Sequence, residues 1–318
     1  MVDVTILGDV NVDIITSPIQ KYPDKDSQIT ISSIHLSPGG CACNTAIACA
    51  KLGIKTRLIG KLTDDMFSKY LIKNLKKVGV DRKIKIMKNK TTGITLAITF
   101  KDMTRSFIAY SGSNESLSIK DFKLDDIKGK ILIVTGFNLL DNLRKDVRKL
   151  FEFAKIKGMK TGLDPNWDPK GWTEKRLRDI YNIFKSTDWF FPSVEEGKAI
   201  AKTQDERLIV KKLRYLGPET VCLKLGKRGC LVGYEDTIKP IEGFKVKSIS
   251  TTGTGDVFLA GFIKGYLSGW SVEDSIRFAN AAGALSTTRI GLKKYPTYKK
   301  VIKFLKTKGI HISYIISS

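Results

Sequence analysis

The chain has 318 residues, 42% of them hydrophobic and 27% charged, enough apolar material for one large domain with an insertion or for two domains. Its 55 Lys and Arg against 32 Asp and Glu give a net charge of +23, but the basic residues are spread along the chain and predict a solvated surface rather than a nucleic-acid stripe. Five cysteines form an odd set without repeated spacing, which speaks against a disulfide framework and a four-ligand zinc site. The start, "MVDVTILGDVNVDI", alternates and carries acids where a secretory leader needs a basic end and a long apolar stretch. With no apolar run of membrane-spanning length, a soluble, cytoplasmic protein is expected, with no membrane and no nucleic-acid partner.

In chain order, "VDVTILGD" reads as an opening strand, "TAIACAKLG" as a helix closed by Gly53, "TRLIGKL" as a strand and "DMFSKYLIKNLKKVG" as a helix ended by Gly79. The unit repeats with the strand "KILIVTG", a helix near "LRKDVRKLFEFAKIKG", and the strands "MKTGLD", "DWFFP" and "TVCLKLG". Short buried-strand runs between amphipathic helices predict an α/β fold on a mainly parallel, doubly wound sheet. Residues 11–37 and 85–113 break the rhythm with period-two stretches such as "GITLAITF" and "RSFIAY". They predict a small antiparallel sheet at the edge of the main domain, either a lid that excludes water or a plain extension or dimer contact. The major domain is then expected over 1–10, 38–84 and 114–318. From Thr252 onward the pattern is helical, through "VFLAGFIKGYLSG", "VEDSIRFANAAGALSTTRIG" and "YKKVIKFLKTKG".

The stretch "STTGTGDVFLAG" places two glycines and a carboxylate at a helix entrance. Glycines there let the backbone approach a ligand, and the unpaired N–H groups and positive dipole end favour an anion. Gly253, Thr254 and Gly255 therefore form a candidate anion cradle. Asp256 beside it can take the proton of a hydroxyl that attacks phosphorus, although Asp is also a sound first-turn residue for any helix. A second glycine-rich turn, "SPGGCACN", brings Gly39 and Gly40 to a helix that carries Asn44, whose amide both donates and accepts. In "GDVNVDI", Asn11 and Asp13 fall on one side of an extended segment. The Walker pattern, the dinucleotide fingerprint and the protein-kinase set are absent. With two histidines, a Ser-His-Asp hydrolase or a multi-histidine metal site is disfavoured.

Taken together, "GDVNVD", "PGGCACN", "YSGSNESL", "DPNW", "VEEGKAI", "KLGKRG", "TTGTGD" and "FANAAGALSTTRIG" run in the order of the ribokinase-like, or PfkB-type, carbohydrate and nucleoside kinase family, which the chain resembles over nearly its whole length. The resemblance implies a three-layer α/β/α sandwich with a β-sheet lid, and phosphoryl transfer from ATP with Mg²⁺ to a hydroxymethyl group of a sugar or nucleoside. It implies Asp256 as general base and Gly253, Thr254 and Gly255 as anion hole. Asn11, Asp13, Gly39, Gly40 and Asn44 match sugar-binding positions. Asp164 and Asn166 of "DPNW" either contact the acceptor or only close a strand.

Around the nucleotide the resemblance implies Ser193, Lys224, Gly226, Gly229 and Asn280, with Glu196 organising Mg²⁺ and its waters. A homodimer through the lid is a further expectation. Three positions depart from the family pattern: Ser193 stands for an Asn, Cys41 for a Lys frequent in ribokinases, and Ser250 for an Asp that helps hold a monovalent cation there. The last weakens the expectation of such a cation. Asp168 stands where several relatives have Arg, which suggests an acceptor without the acidic group that an Arg would recognise. A sugar kinase, a nucleoside kinase and a non-catalytic sensor on a kinase fold remain the readings to be separated.

Overall fold

Strand β1 (Val4–Gly8) is buried at every residue and leads directly into β2 (Asn11–Thr16), which leaves the main body. The chain returns along β3 (Ile34–Gly39), enters helix α1 (Cys41–Lys51), and continues through β4 (Thr56–Thr63), α2 (Met66–Lys77), β5 (Asp81–Met87), β6 (Gly93–Thr99) and β7 (Arg105–Tyr110). Next come β8 (Ile131–Thr135), α3 (Asp141–Arg144), α4 (Val147–Ile156), β9 (Lys160–Asp164), α5 (Glu174–Phe184) and β10 (Trp189–Phe190). The chain closes with α6 (Val194–Ala201), α7 (Glu206–Tyr215), β11 (Thr220–Lys224), β12 (Gly229–Tyr234), β13 (Thr237–Glu242), α8 (Thr254–Leu267), α9 (Val272–Ser286) and α10 (Tyr298–Thr307). This computed structural model describes residues 1–102 and 104–312. Met103 of the expected lid and residues 313–318 of the expected major domain lie outside the described residues.

The large sheet has the order β13-β12-β11-β10-β9-β8-β1-β4-β5. It is parallel from β5 to β11, and β12 and β13 extend it antiparallel. The strand order reverses beside β1, between β4 and β8, which is the switch point where open α/β sheets bind ligands outside the carboxyl ends of their strands. One apolar core joins one face to α1, α2, α8, α9 and α10, and a second joins the other face to α3 through α7. The architecture is therefore the three-layer α/β/α sandwich that the sequence predicts. Helix α8 is apolar on nearly all sides because it is enclosed by neighbours. Its glycines allow close contact with α9: a Cβ at Gly261 would lie 2.6 Å from Ala279 Cα.

A separate four-stranded sheet, β3-β2-β6-β7, forms the lid. Three expectations are corrected here. The lid is mixed rather than antiparallel, because β2 leaves β1 in the same direction in which β6 arrives, and the two pair parallel. Lys85, Ile86 and Met87 pair with Lys61, Leu62 and Thr63 in the large sheet, so this end of the 85–113 segment belongs to β5. The helix expected near "LRKDVRKLFEFAKIKG" is also divided, at Lys145 and Asp146, into α3 and α4. Arg144 turns inward there, donating to Asp179, Asn138 Oδ1 and the Arg176 carbonyl.

Candidate active site

Two helix entrances meet at the carboxyl ends of the central strands. At α1, Gly40 adopts φ 84° and supplies the N-cap, while both carboxylate oxygens of Asp9 accept from Cys41 N at 3.1 Å. A Cβ at Gly39 would collide with the carboxylate of Asp13, so this glycine is required for close approach. At α8, Gly253 is a left-handed N-cap with φ 73°. The Thr254 N–H bonds back to Thr251 O at 3.2 Å, whereas among the described residues the N–H groups of Gly255 and Asp256 have no backbone acceptor outside the helix. The Thr254 hydroxyl is buried without a partner. This set of unspent donors at a helix N-terminus suits an anion.

Asp256 joins the two entrances. Its carboxylate accepts from Asn44 Nδ2 at 3.0 Å, and Asn44 Oδ1 accepts in turn from the Tyr295 hydroxyl at 2.6 Å. Burial pushes the Asp256 carboxyl well above the usual range; Asp164 and Asp9 add to the effect, while Asn44 and Lys294 oppose it. A carboxyl raised in this way holds a proton more strongly than a free one, which suits a group that accepts a proton. Burial likewise pushes Asp13 up to about 7, against the pull of Lys294, and Asp9 up to about 6.

A cleft of about 610 Å³ opens on the other side of Asp256. It is lined by Asp164, Asn166, Ser193, Glu196, Lys224, Gly226, Gly229, Gly253, Thr254, Gly255, Asp256 and Asn280. Asn11, Asp13, Gly39, Gly40 and Asn44 do not line it; Asn11, Asp13 and Gly39 stand on the lid strands β2 and β3, and Asn44 links this group to Asp256. Lys224, the last residue of β11, donates to Asp164 at the end of β9 at 2.9 Å. Its ammonium is held charged, against burial, by Asp164, Glu196 and Asp256. A Cβ at Gly255 would lie 3.3 Å from this ammonium.

Several side chains are committed in ways the sequence does not reveal. Ser193 and Glu196 form a capping box on α6, with Ser193 N donating to Glu196 Oε2 at 2.7 Å. Burial raises the Glu196 carboxyl, with Lys224 pulling it back. Asn280 donates to the carbonyls of Ile241 and Glu242 at 3.0 Å each, which leaves its carbonyl oxygen for a ligand. Asn166 sits at φ 57°, donates to Cys41 Sγ at 3.2 Å and accepts from Trp167 N. Asp168 is buried against Arg176 and Arg144 and does not line the cleft. Gly226 has φ 60° and open space around it, and Gly229 has φ 96° against the Ile241 carbonyl; both shape the turn after β11.

Sequence reasoning missed Asp9, Asn114, Arg105, Lys294 and Tyr295. Asn114 donates to Asn11 Oδ1 at 2.5 Å, and Arg105 reaches from the lid to Thr252 Oγ1 and Ile249 O. Asp9 stood visibly at the end of a strand, in "GDVNVD". Lys294 and Tyr295 lie in a turn whose sequence, "GLKKYP", has a single glycine and no paired-glycine or capping pattern that points to chemistry.

The family model of the pfkB carbohydrate kinases matches residues 1–297. The chain belongs to this family. It is an ATP-dependent sugar kinase. Among curated relatives, a ribokinase of Haemophilus influenzae is 27% identical over 95% of this chain and 98% of its own length. A 2-dehydro-3-deoxygluconokinase of Bacillus subtilis is also 27% identical, over 87% and 89%. Among solved structures, an E. coli protein described as a ribokinase II, in complex with ATP and Mg²⁺, superimposes with a TM-score of 0.86 at 21% identity, covering 96% of this chain and all of that one. No described helix is long and apolar enough to cross a membrane.

The described residues hold no cluster of three His, Cys, Asp or Glu that could cage a metal. Glu196 has one oxygen beyond its capping bond, and Asp164 is shared with Lys224. Such a sparse oxygen set fits Mg²⁺ that arrives with a triphosphate and keeps most of its waters.

Proposed function

We propose that this kinase transfers the γ-phosphoryl group of ATP to the hydroxymethyl group of a small sugar, with Asp256 as general base and Gly253, Thr254 and Gly255 as anion hole. The observation that carries the reading is the placement of the Asp256 carboxylate. It lies in the first turn of α8 beside N–H groups without acceptors, and the chain Tyr295–Asn44–Asp256 fixes its orientation.

On the acceptor side, Asn11, Asp13 and Asn44 offer carboxylate and amide groups to vicinal hydroxyls, and Gly39 and Gly40 allow the sugar to approach the backbone. Asp164 and Asn166 border the acceptor where the cleft reaches Cys41. On the donor side, Lys224 meets the phosphates, and Ser193, Gly226, Gly229 and Asn280 surround the nucleotide. Glu196, through its remaining oxygen and water, would hold Mg²⁺ on the triphosphate, where the ion neutralises charge on the phosphate oxygens. As the acceptor oxygen forms its bond to phosphorus, its proton passes to the Asp256 carboxylate and the bond to ADP breaks. The donors at the α8 entrance meet charge on the transferring group, and the lid excludes water that would otherwise hydrolyse ATP.

The two relatives with different acceptors stand at the same identity, so the acceptor is not inherited from either. We place the reaction in the cytoplasm, where ATP is supplied, and we assign the exposed lid residues Phe107, Ile108 and Tyr110 to a homodimer contact. Asp256→Asn tests the reading. General-base catalysis is worth about 10² to 10⁴-fold, so turnover falls by that factor while ATP binding and the melting transition persist. Wild-type turnover by the folded variant would refute it.

A further inference from the structure

Lys294 ends the turn after α9 and is only 5% exposed. Burying an ammonium is costly unless other groups compensate, yet among the described residues the hydrogen bond it makes is long, 3.4 Å from Nζ to the Thr252 carbonyl. Among the described residues no carboxylate oxygen lies within 4.0 Å of it. The ammonium meets Asn44 and Asp256 at the α8 entrance: a Cβ at Gly253 would lie 2.8 Å from Nζ, 3.2 Å from Asn44 Nδ2 and 3.5 Å from Asp256 Oδ2. Tyr295, the next residue, carries its ring 5.0 Å from the same ammonium and its hydroxyl to Asn44. One turn therefore delivers both a cation beside Asp256 and the clamp that orients the amide bonded to it.

We propose that Lys294 is a positioning residue for the phosphoryl transfer: its tethered ammonium is the shared counter-charge of Asp13 and Asp256, holding the carboxylate of Asp256 ready to receive the acceptor's proton. The inference rests on the reading of Asp256 as general base. The groups facing Lys294 are Asp13 on β2, Asp256 on α8, Cys43 on α1 and Arg105 on the lid strand β7. Those facing Asp256 are Asp164 at the end of β9, Asn44 on α1, Lys294, and Asp9 after β1, with Lys224 of β11 and Cys41 of α1 nearby. Two further buried acids thus press against Asp256 from the sheet. Lys224 is committed to Asp164 and Glu196, which leaves Lys294 as the cation on the acceptor side of the base. Burial lowers the Lys294 ammonium from its ordinary range while Asp13 and Asp256 pull it back toward the charged form; the acceptor's proton goes to Asp256.

The experiment uses the full chain with carboxyl-labelled ¹³C-aspartate, the Asp256 resonance being identified by its loss in Asp256→Asn. In Lys294→Met the midpoint of the Asp256 titration rises by about one pH unit, as expected for removal of an opposite charge a few ångströms away. In Lys294→Arg it returns near the wild-type value. The ascending limb of kcat/KM, measured with the sugar that gives the highest turnover, moves to higher pH in parallel, while the KM for ATP stays within about twofold. Should Lys294→Met not fold, Lys294→Gln carries the same expectation. A folded neutral variant with an unchanged midpoint would overturn the proposal, and so would an arginine variant that titrates like the neutral ones. Full activity of Asp256→Asn would remove the general base instead, and the Lys294 titration would still be read independently.

Discussion

Replacing Gly253 by Ala separates backbone strain from loss of the phosphate site. The residue lies at φ 73°, a conformation that costs a residue with a Cβ about 1–2 kcal/mol. The added methyl would stand 2.8 Å from Lys294 Nζ and 3.2 Å from Asn44 Nδ2. Both are ends of side chains and can yield, but Asn44 is the group that orients Asp256. A shift of about 1 Å in a reacting group can cost about 10²-fold in rate. Gly269, just past the end of the same helix, has φ 72° and nothing within 4 Å of a Cβ, so Gly269→Ala carries the same strain without the neighbours. The expected result is two variants with similar loss of stability, about 1–2 kcal/mol by denaturant titration, of which only Gly253→Ala loses turnover, by about 10²-fold or more. Turnover of Gly253→Ala within threefold of wild type, or an equal loss in Gly269→Ala, would refute the assignment of this helix entrance to the transferring phosphoryl group.

Asp13→Asn tests the cost of burying a carboxyl at the proposed acceptor site. Because the folded carboxyl is raised to about 7, the native state binds its proton more tightly than the unfolded chain, so this group's contribution falls as pH rises from about 4 to 7. The amide variant should be more stable than wild type at pH 8, by less than about 4 kcal/mol, with a raised KM for the acceptor; equal melting temperatures at pH 5 and pH 8 relative to wild type would contradict this. Arg105→Ala removes the lid's link to Thr252 and Ile249, and kcat/KM for the acceptor should fall about tenfold, the equivalent of one charge-assisted hydrogen bond. An unchanged kcat/KM would show that the link is dispensable. Phe107→Asp, at a residue 55% exposed on the lid, should turn a dimer into a monomer by light scattering; a wild-type protein that is monomeric at working concentration would end the dimer reading.

The sandwich was legible because buried-strand runs and amphipathic helices alternate, and the start of α8 because glycines precede an apolar run; glycines and an Asp also suit an ordinary helix start, so its chemistry was read from the order of all the motifs together. The lid's topology was not legible: period two marks a half-buried strand but says nothing of its partner's direction, and β2 and β6 pair parallel. Likewise, "RKIKIM" carries alternation that suits either sheet, and only tertiary pairing with β4 assigns it to the large one. Asp168 and Asn280 show a different limit, because an acid or an amide at a motif position can spend its hydrogen bonds on the fold. Lys294 was hidden among 55 Lys and Arg, and only its burial distinguishes it from a surface lysine.

The most direct test of the account is ADP release from MgATP by the purified protein against free sugars, sugar acids and ribonucleosides, with the product identified by mass and the phosphate located by ³¹P NMR. The account predicts one equivalent of ADP per phosphorylated sugar, with phosphate on a former hydroxymethyl oxygen. Turnover confined to ribonucleosides, or no turnover by a folded protein that binds ATP, would contradict it.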